Sequence, residues 1–115
     1  MILAALEPRL KTVVLQGTGI GPPVAPETDT LNYAPRVRIP TLMLNGRYDY
    51  ETPFEASQRP LFLLLGSPPE HKRHAVFEFG HALVIDLAAR EILAWLDRYL
   101  GPVVRASAPF PVSPP

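Results

Sequence analysis

The sequence predicts an α/β fold with three parallel strands and flanking helices. Three observations carry this. Apolar, β-branched runs at residues 10–15, 37–45 and 73–79 have strand length and composition. Amphipathic segments of helical length follow the second and third runs. The turns between run and helix are short and hold glycine, as expected of right-handed β-α units.

Residues 1–6 (M-I-L-A-A-L) are good helix formers, and Pro8 limits any helix that begins there. At under two turns, the segment reads as the end of a helix rather than a whole one. Residues 10–15 (L-K-T-V-V-L) form the first strand. The loop behind it carries Gly17, Gly19 and Gly21, which miss the G-x-G-x-x-G spacing, and Pro22-Pro23 stand where a helix would start. A dinucleotide site is therefore not expected, and the glycines are read as turn residues with positive φ. Residues 21–35 form a long surface loop, with a short turn over 28–32.

Residues 37–45 form the clearest strand, with Pro40 near its start and T-L-M-L as an apolar run buried on both faces. Thr52, Pro53 and Glu55 read as a capping box with proline in the first helical position. The helix they start should run to about Leu65, kink at Pro60 and stop at Gly66, with Phe54, Leu61, Phe62, Leu64 and Leu65 as its apolar side. In residues 73–79, Ala75, Phe77 and Phe79 alternate with His74, Val76 and Glu78. Asp86 should cap a last helix over 87–100. Its stripe is Ala89, Ile92, Leu93, Leu96, Tyr99 and Leu100, Trp95 is a packing residue, and Gly101-Pro102 ends it. Residues 1–102 are thus expected to be the carboxyl-terminal part of one domain. Residues 103–115, rich in proline and containing the P-x-x-P match Pro111 to Pro114, are expected to be a disordered tail.

The bulk composition narrows the function. The chain has 115 residues, 47% hydrophobic and 19% charged, which suits one small core. Eleven basic and eleven acidic residues leave no net charge, so neither nucleic acid nor an anionic membrane is an expected partner. No cysteine is present, so disulfides, thiolate metal sites and a cysteine nucleophile are excluded. No run approaches the ~20 apolar residues of a membrane helix. The initial apolar stretch is too short for a signal peptide, and a cytoplasmic protein is expected.

Two polar residues stand directly behind the second and third strands: Asp49 and His81. Ligand sites of parallel sheets lie at those carboxyl ends. An acid after one strand and a histidine after the next follow the order of acid and base in a nucleophilic hydrolase. Each residue alone has an ordinary reading, Asp49 as a turn former and His81 as a satisfied loop histidine. A zinc site from His71, His74 and His81 lacks helical or hairpin spacing and a carboxylate partner. No serine lies in a strand-turn-helix elbow: Ser57 is in the predicted helix, Ser67 in a proline loop, and Ser107 and Ser113 in the tail.

The blocks R-V-R-I-P-T-L-M-L-N-G-R-Y-D, P-F-E-A-S-Q-R-P-L-F-L-L-L-G-S-P, H-K-R-H-A-V-F-E-F-G-H-A-L and I-L-A-W-L-D-R-Y-L-G resemble the carboxyl-terminal part of α/β-hydrolases of the dienelactone hydrolase and acetyl-esterase type. They look most like the hydrolase region fused behind bacterial serine/threonine protein kinases. The resemblance covers about residues 3–103. It implies a partial α/β-hydrolase fold whose strands are the sixth to eighth of that fold, with Asp49 as catalytic acid and His81 as catalytic histidine. No cofactor and no metal are expected. The family's nucleophile elbow, G-x-S-x-G, would lie upstream of Met1. Two functions are open on this basis. The chain is a fragment of a serine hydrolase acting on small-molecule esters, inactive alone, or it is a non-catalytic remnant or interaction module that self-associates through an open sheet edge.

Overall fold

The computed structural model describes residues 1–82 and 85–103. The expected tail thus falls, except for Val103, outside the described residues, as do Ser107 and Ser113. The elements are α1 (Ile2–Leu6), β1 (Val13–Gln16), β2 (Thr41–Gly46), α2 (Arg59–Leu64), β3 (Lys72–Phe77) and α3 (Ile85–Leu100). The strands form one parallel sheet in the order β1-β2-β3, with Val13 opposite Thr41 and Thr41 opposite Lys72.

All six residues of β2 are buried, because this central strand is covered on both faces. Side chains alternate across a strand, so β2 feeds two cores. Met43 packs with Ala4, Leu15, Ala34, Val37, Leu61 and Leu65 on the side of α1 and α2. Leu42 and Leu44 pack with Ala75, Ala88 and Trp95 on the side of α3. Trp95 is buried, and its indole Nε1–H donates to Thr12 Oγ1 at 2.7 Å. The packing expectation for Trp95 holds, and its polar edge ties α3 to the start of β1.

Several boundaries differ from expectation. The strand expected over 37–45 starts only at Thr41, because residues 34–36 form a 3₁₀ turn that buries Ala34. The third strand ends at Phe77, where the Phe79 N–H turns back to the Phe77 carbonyl at 2.8 Å. The inward stripe of α3 is Ala88, Ile92, Trp95 and Tyr99, while Leu93 and Leu100 face outward. Asp86 lies in the first turn of α3 instead of preceding it. Leu64 likewise points outward from α2.

The largest departure is at residues 52–64. The expected continuous helix begins as a wide π-type turn over Phe54–Gln58 and becomes α-helical only at Arg59. The Gln58 N–H reaches the Pro53 carbonyl five residues back, at 3.2 Å. Pro60 has no N–H to continue the ladder, and an irregular turn just before it is the consequence. Pro53 occupies the position before the turn, and no side chain caps it. Thr52, expected to be the cap, has another partner.

Candidate active site

Asp49 and His81 meet at the carboxyl ends of β2 and β3. Asp49 Oδ2 lies 2.8 Å from His81 Nδ1. Two backbone features bring them together. The Arg47 N–H donates to Phe77 O at 2.7 Å and the Tyr48 N–H to Phe79 O at 2.9 Å, so the loops leaving β2 and β3 are zipped to one another. Gly46 makes this approach possible, since a Cβ there would strike the carbonyl oxygens of Phe79 and Gly80.

The carboxylate is fully organised by its own loop. Asp49 Oδ1 accepts from the N–H of Glu51 at 2.9 Å and of Thr52 at 3.2 Å. Thr52 Oγ1 donates to Oδ2 at 2.7 Å. Thr52 therefore serves the acid, not the helix. A hydroxyl two or three residues from an aspartate satisfies either group, and here the turn around Asp49 has it.

Asp49 is 3% exposed. Burial opposes its ionisation, but the hydrogen bonds from Thr52, His81 and the two backbone amides outweigh burial and hold its pKa below the ordinary carboxylate value. The hydrogen bond and charge of Asp49 raise the pKa of His81, with a smaller contribution from Glu51. With an ionised Asp49, Nδ1 carries the proton and donates it. Nε2 is then left with a lone pair. The imidazole is 42% exposed, and Glu51 Oε2 lies 3.7 Å from Nε2. This edge is open to a second group.

The glycine loop behind β1 forms a wall of the site. Gly17 has φ +58°, and a Cβ there would stand 3.2 Å from His81 Cε1. The positive φ expected of the loop's glycines is found at Gly17 only. Sequence reasoning missed a second histidine in this region. His74 Nε2 pairs with buried Asn45 Oδ1 at 3.0 Å, and Asn45 Nδ2 donates to the Thr18 carbonyl at 3.0 Å. Its ring is stacked against Phe54 and Phe62, and burial lowers its pKa. The alternation that put His74 opposite Ala75 was the available signal; its partner lay 29 positions away in the chain.

The three histidines do not converge. His71 Nδ1 pairs with the Tyr99 hydroxyl, His74 with Asn45, and His81 with Asp49. Among the described residues no cluster of three or more His, Asp or Glu side chains is placed to hold a metal ion. The described serines are engaged elsewhere. Ser57 Oγ donates to Ile20 O at 2.9 Å, and Ser67 Oγ bonds Ile39 O at 2.7 Å.

No family model and no curated protein matches the chain. Solved structures do. The chain is similar to a cold-adapted esterase from an Arctic intertidal metagenomic library, at 23% identity and a TM-score of 0.70, over 85% of this chain and 42% of that one. It is also similar to TT1662 from Thermus thermophilus, at 22% identity and a TM-score of 0.65, over 85% of this chain and 48% of that one. The chain thus spans less than half the length of these structures. Three parallel strands, helices on both faces and this likeness together establish a partial α/β-hydrolase-like fold.

Proposed function

We propose that this chain supplies the acid and the base of a serine-type ester hydrolase, with the nucleophile furnished by a polypeptide segment outside this sequence. The observation that carries the proposal is the 2.8 Å bond between Asp49 Oδ2 and His81 Nδ1, with Nε2 left open. In the reaction, His81 Nε2 takes the proton of the nucleophile's hydroxyl as its oxygen bonds the ester carbonyl carbon. It then gives that proton to the departing alcohol as the ester C–O bond breaks. Water repeats the sequence on the acyl intermediate. Asp49 stays ionised throughout, fixes the ring tautomer and stabilises the imidazolium. The resemblance to dienelactone hydrolase and acetyl-esterase sequences supports small esters as substrates, and gives the kinase-fused setting as one context for a segment that bears the nucleophile.

The test compares p-nitrophenyl ester hydrolysis by this 115-residue chain with hydrolysis by a longer polypeptide that includes the preceding coding sequence. The chain alone should show no turnover above buffer. The longer form should hydrolyse the ester and lose on the order of 10⁴-fold in kcat on Asp49→Asn. Turnover by the chain alone that disappears in His81→Ala would refute the need for another segment.

A second reading is favoured by one observation. Among the described residues β1 pairs with β2 alone, and Leu3 and Leu6 of α1 are 66% and 60% exposed. An open strand edge beside apolar surface is an association surface. Sedimentation equilibrium decides: a concentration-independent monomer rules out self-association.

A further inference from the structure

We infer that Gln58 is a positioning residue for the acid, because its buried carboxamide ties together the two ends of the loop that carries Asp49. This rests on Asp49 and His81 being the acid and base proposed above.

Gln58 is fully buried. Its Nε2 donates to Gly46 O at 2.8 Å and to Thr52 O at 2.7 Å. Those two carbonyls bracket residues 47–51, at whose centre Asp49 stands. Two carbonyl acceptors on one nitrogen leave the carboxamide a single orientation, with the NH₂ toward the loop. Oε1 is buried and has no hydrogen-bond partner among the described residues. Leaving such an acceptor unmet costs about 1–3 kcal/mol. A methionine would avoid that cost and fill the same space, but it would leave two loop carbonyls without their donor. The glutamine is therefore suited to bracing the loop, not to filling the core.

The brace reaches the chemistry through the loop's shape. Asp49 Oδ1 is held by the amides of Glu51 and Thr52, and Oδ2 by the Thr52 hydroxyl. All three donors lie between the braced carbonyls or on the second braced residue. Fixing both ends thus fixes the direction in which Oδ2 faces His81. The Arg47 and Tyr48 N–H groups tie the loop's first end to the segment leaving β3, but among the described residues the Gly46 carbonyl itself has only the long 3.4 Å bond from the Asp49 N–H besides Gln58. The wide turn over Phe54–Gln58 is what aims Gln58 back at the loop.

Two measurements on the folded chain test this. The first is side-chain amide hydrogen exchange in the unaltered protein. The Gln58 NH₂ protons should exchange at least tenfold more slowly than those of Gln16, which is exposed; equal rates would overturn the brace. The second is the His81 titration midpoint, followed by NMR in the unaltered protein, in Asp49→Asn and in Gln58→Met. The charged groups facing that ring are Asp49 and Glu51. Gln58→Met should lower the midpoint at least halfway toward that of Asp49→Asn while the methyl spectrum stays dispersed. A folded Gln58→Met with an unchanged midpoint overturns the inference. If the unaltered protein and Asp49→Asn share one midpoint, the acid–base pairing itself fails, and the inference with it. If Gln58→Met does not fold, amide exchange decides. Loss of ester turnover plays no part in either readout, so a failed hydrolase assay leaves both intact.

Discussion

A Cβ on Gly17 would stand 3.2 Å from Cε1 of His81, so the backbone behind β1 runs close enough to the imidazole that a side chain there would press on it. Gly17 also has φ +58°, where an alanine is strained by about 1–2 kcal/mol. Gly17→Ala should therefore lower the unfolding free energy by about that amount in urea. It should also shift the His81 ring resonances, because the added methyl presses on Cε1. An alanine variant of unchanged stability and unchanged His81 spectrum would show that the loop does not run close to the ring.

The Thr52 hydroxyl donates to Asp49 Oδ2 at 2.7 Å, on the same oxygen that faces His81. Thr52→Val keeps the shape and the backbone amide but removes that donor. Hydrogen bonds to charged groups contribute about 1.5–3 kcal/mol, and the variant should lose stability of this order at neutral pH. The Asp49 carboxyl should titrate at higher pH, seen in its side-chain carbon shift. Thr52→Ser should restore both. If Thr52 were a helix cap instead, the Asp49 titration would stay in place.

This pair marks the boundary of what local pattern can tell. The central strand was legible because burial on both faces demands an unbroken apolar run, as in residues 41–44, where every side chain is buried. The positions of Asp49 and His81 were legible because each follows a strand directly and the strands are parallel neighbours. Thr52 was misread because a hydroxyl near both an aspartate and a helix start fits either role, and only the three-dimensional turn decides. Gln58 gave no signal, and strand alternation marked only the face of His74, since their partners at Thr52, Gly46 and Asn45 are chosen by tertiary contact. The π-type turn was hidden behind Pro60, which predicted a kink but not its form.

The pH dependence of stability follows from opposite shifts. Asp49 has a lowered folded pKa, so its contribution is present above the ordinary carboxylate range and is lost as pH falls through the lowered value. His81 has a raised folded pKa, so its contribution is complete below the ordinary imidazole value of about 6.5 and is lost as pH rises through the raised value. The pair thus stabilises most in mildly acidic solution. Urea unfolding of the unaltered protein and of His81→Gln should differ most near pH 5–6, roughly midway between the ordinary carboxylate and imidazole values. The gap should shrink as the pH is raised. A gap that widens with rising pH would contradict the assigned charges.

His74 tests the neighbouring network. Asn45 Nδ2 is committed to the Thr18 carbonyl, so Asn45 Oδ1 must accept, and His74 Nε2 carries the proton it accepts. His74→Phe keeps the stack with Phe54 and Phe62 but leaves Oδ1 of a fully buried Asn45 without that donor. At pH above 7 this should cost about 1–3 kcal/mol. The sign of the pH effect is also set. The pKa of His74 is lowered by burial, so its own contribution is present above about 6.5 and is lost as pH falls through the lowered folded value. Phenylalanine does not titrate. The deficit of His74→Phe should therefore narrow on acidification, and a double variant with Asn45→Leu should recover part of it by removing the stranded acceptor. Chemical unfolding at several pH values reads all three effects. A deficit that grows toward acid pH would mean that the folded chain holds His74 as an imidazolium, contrary to its partial burial against two phenylalanine rings.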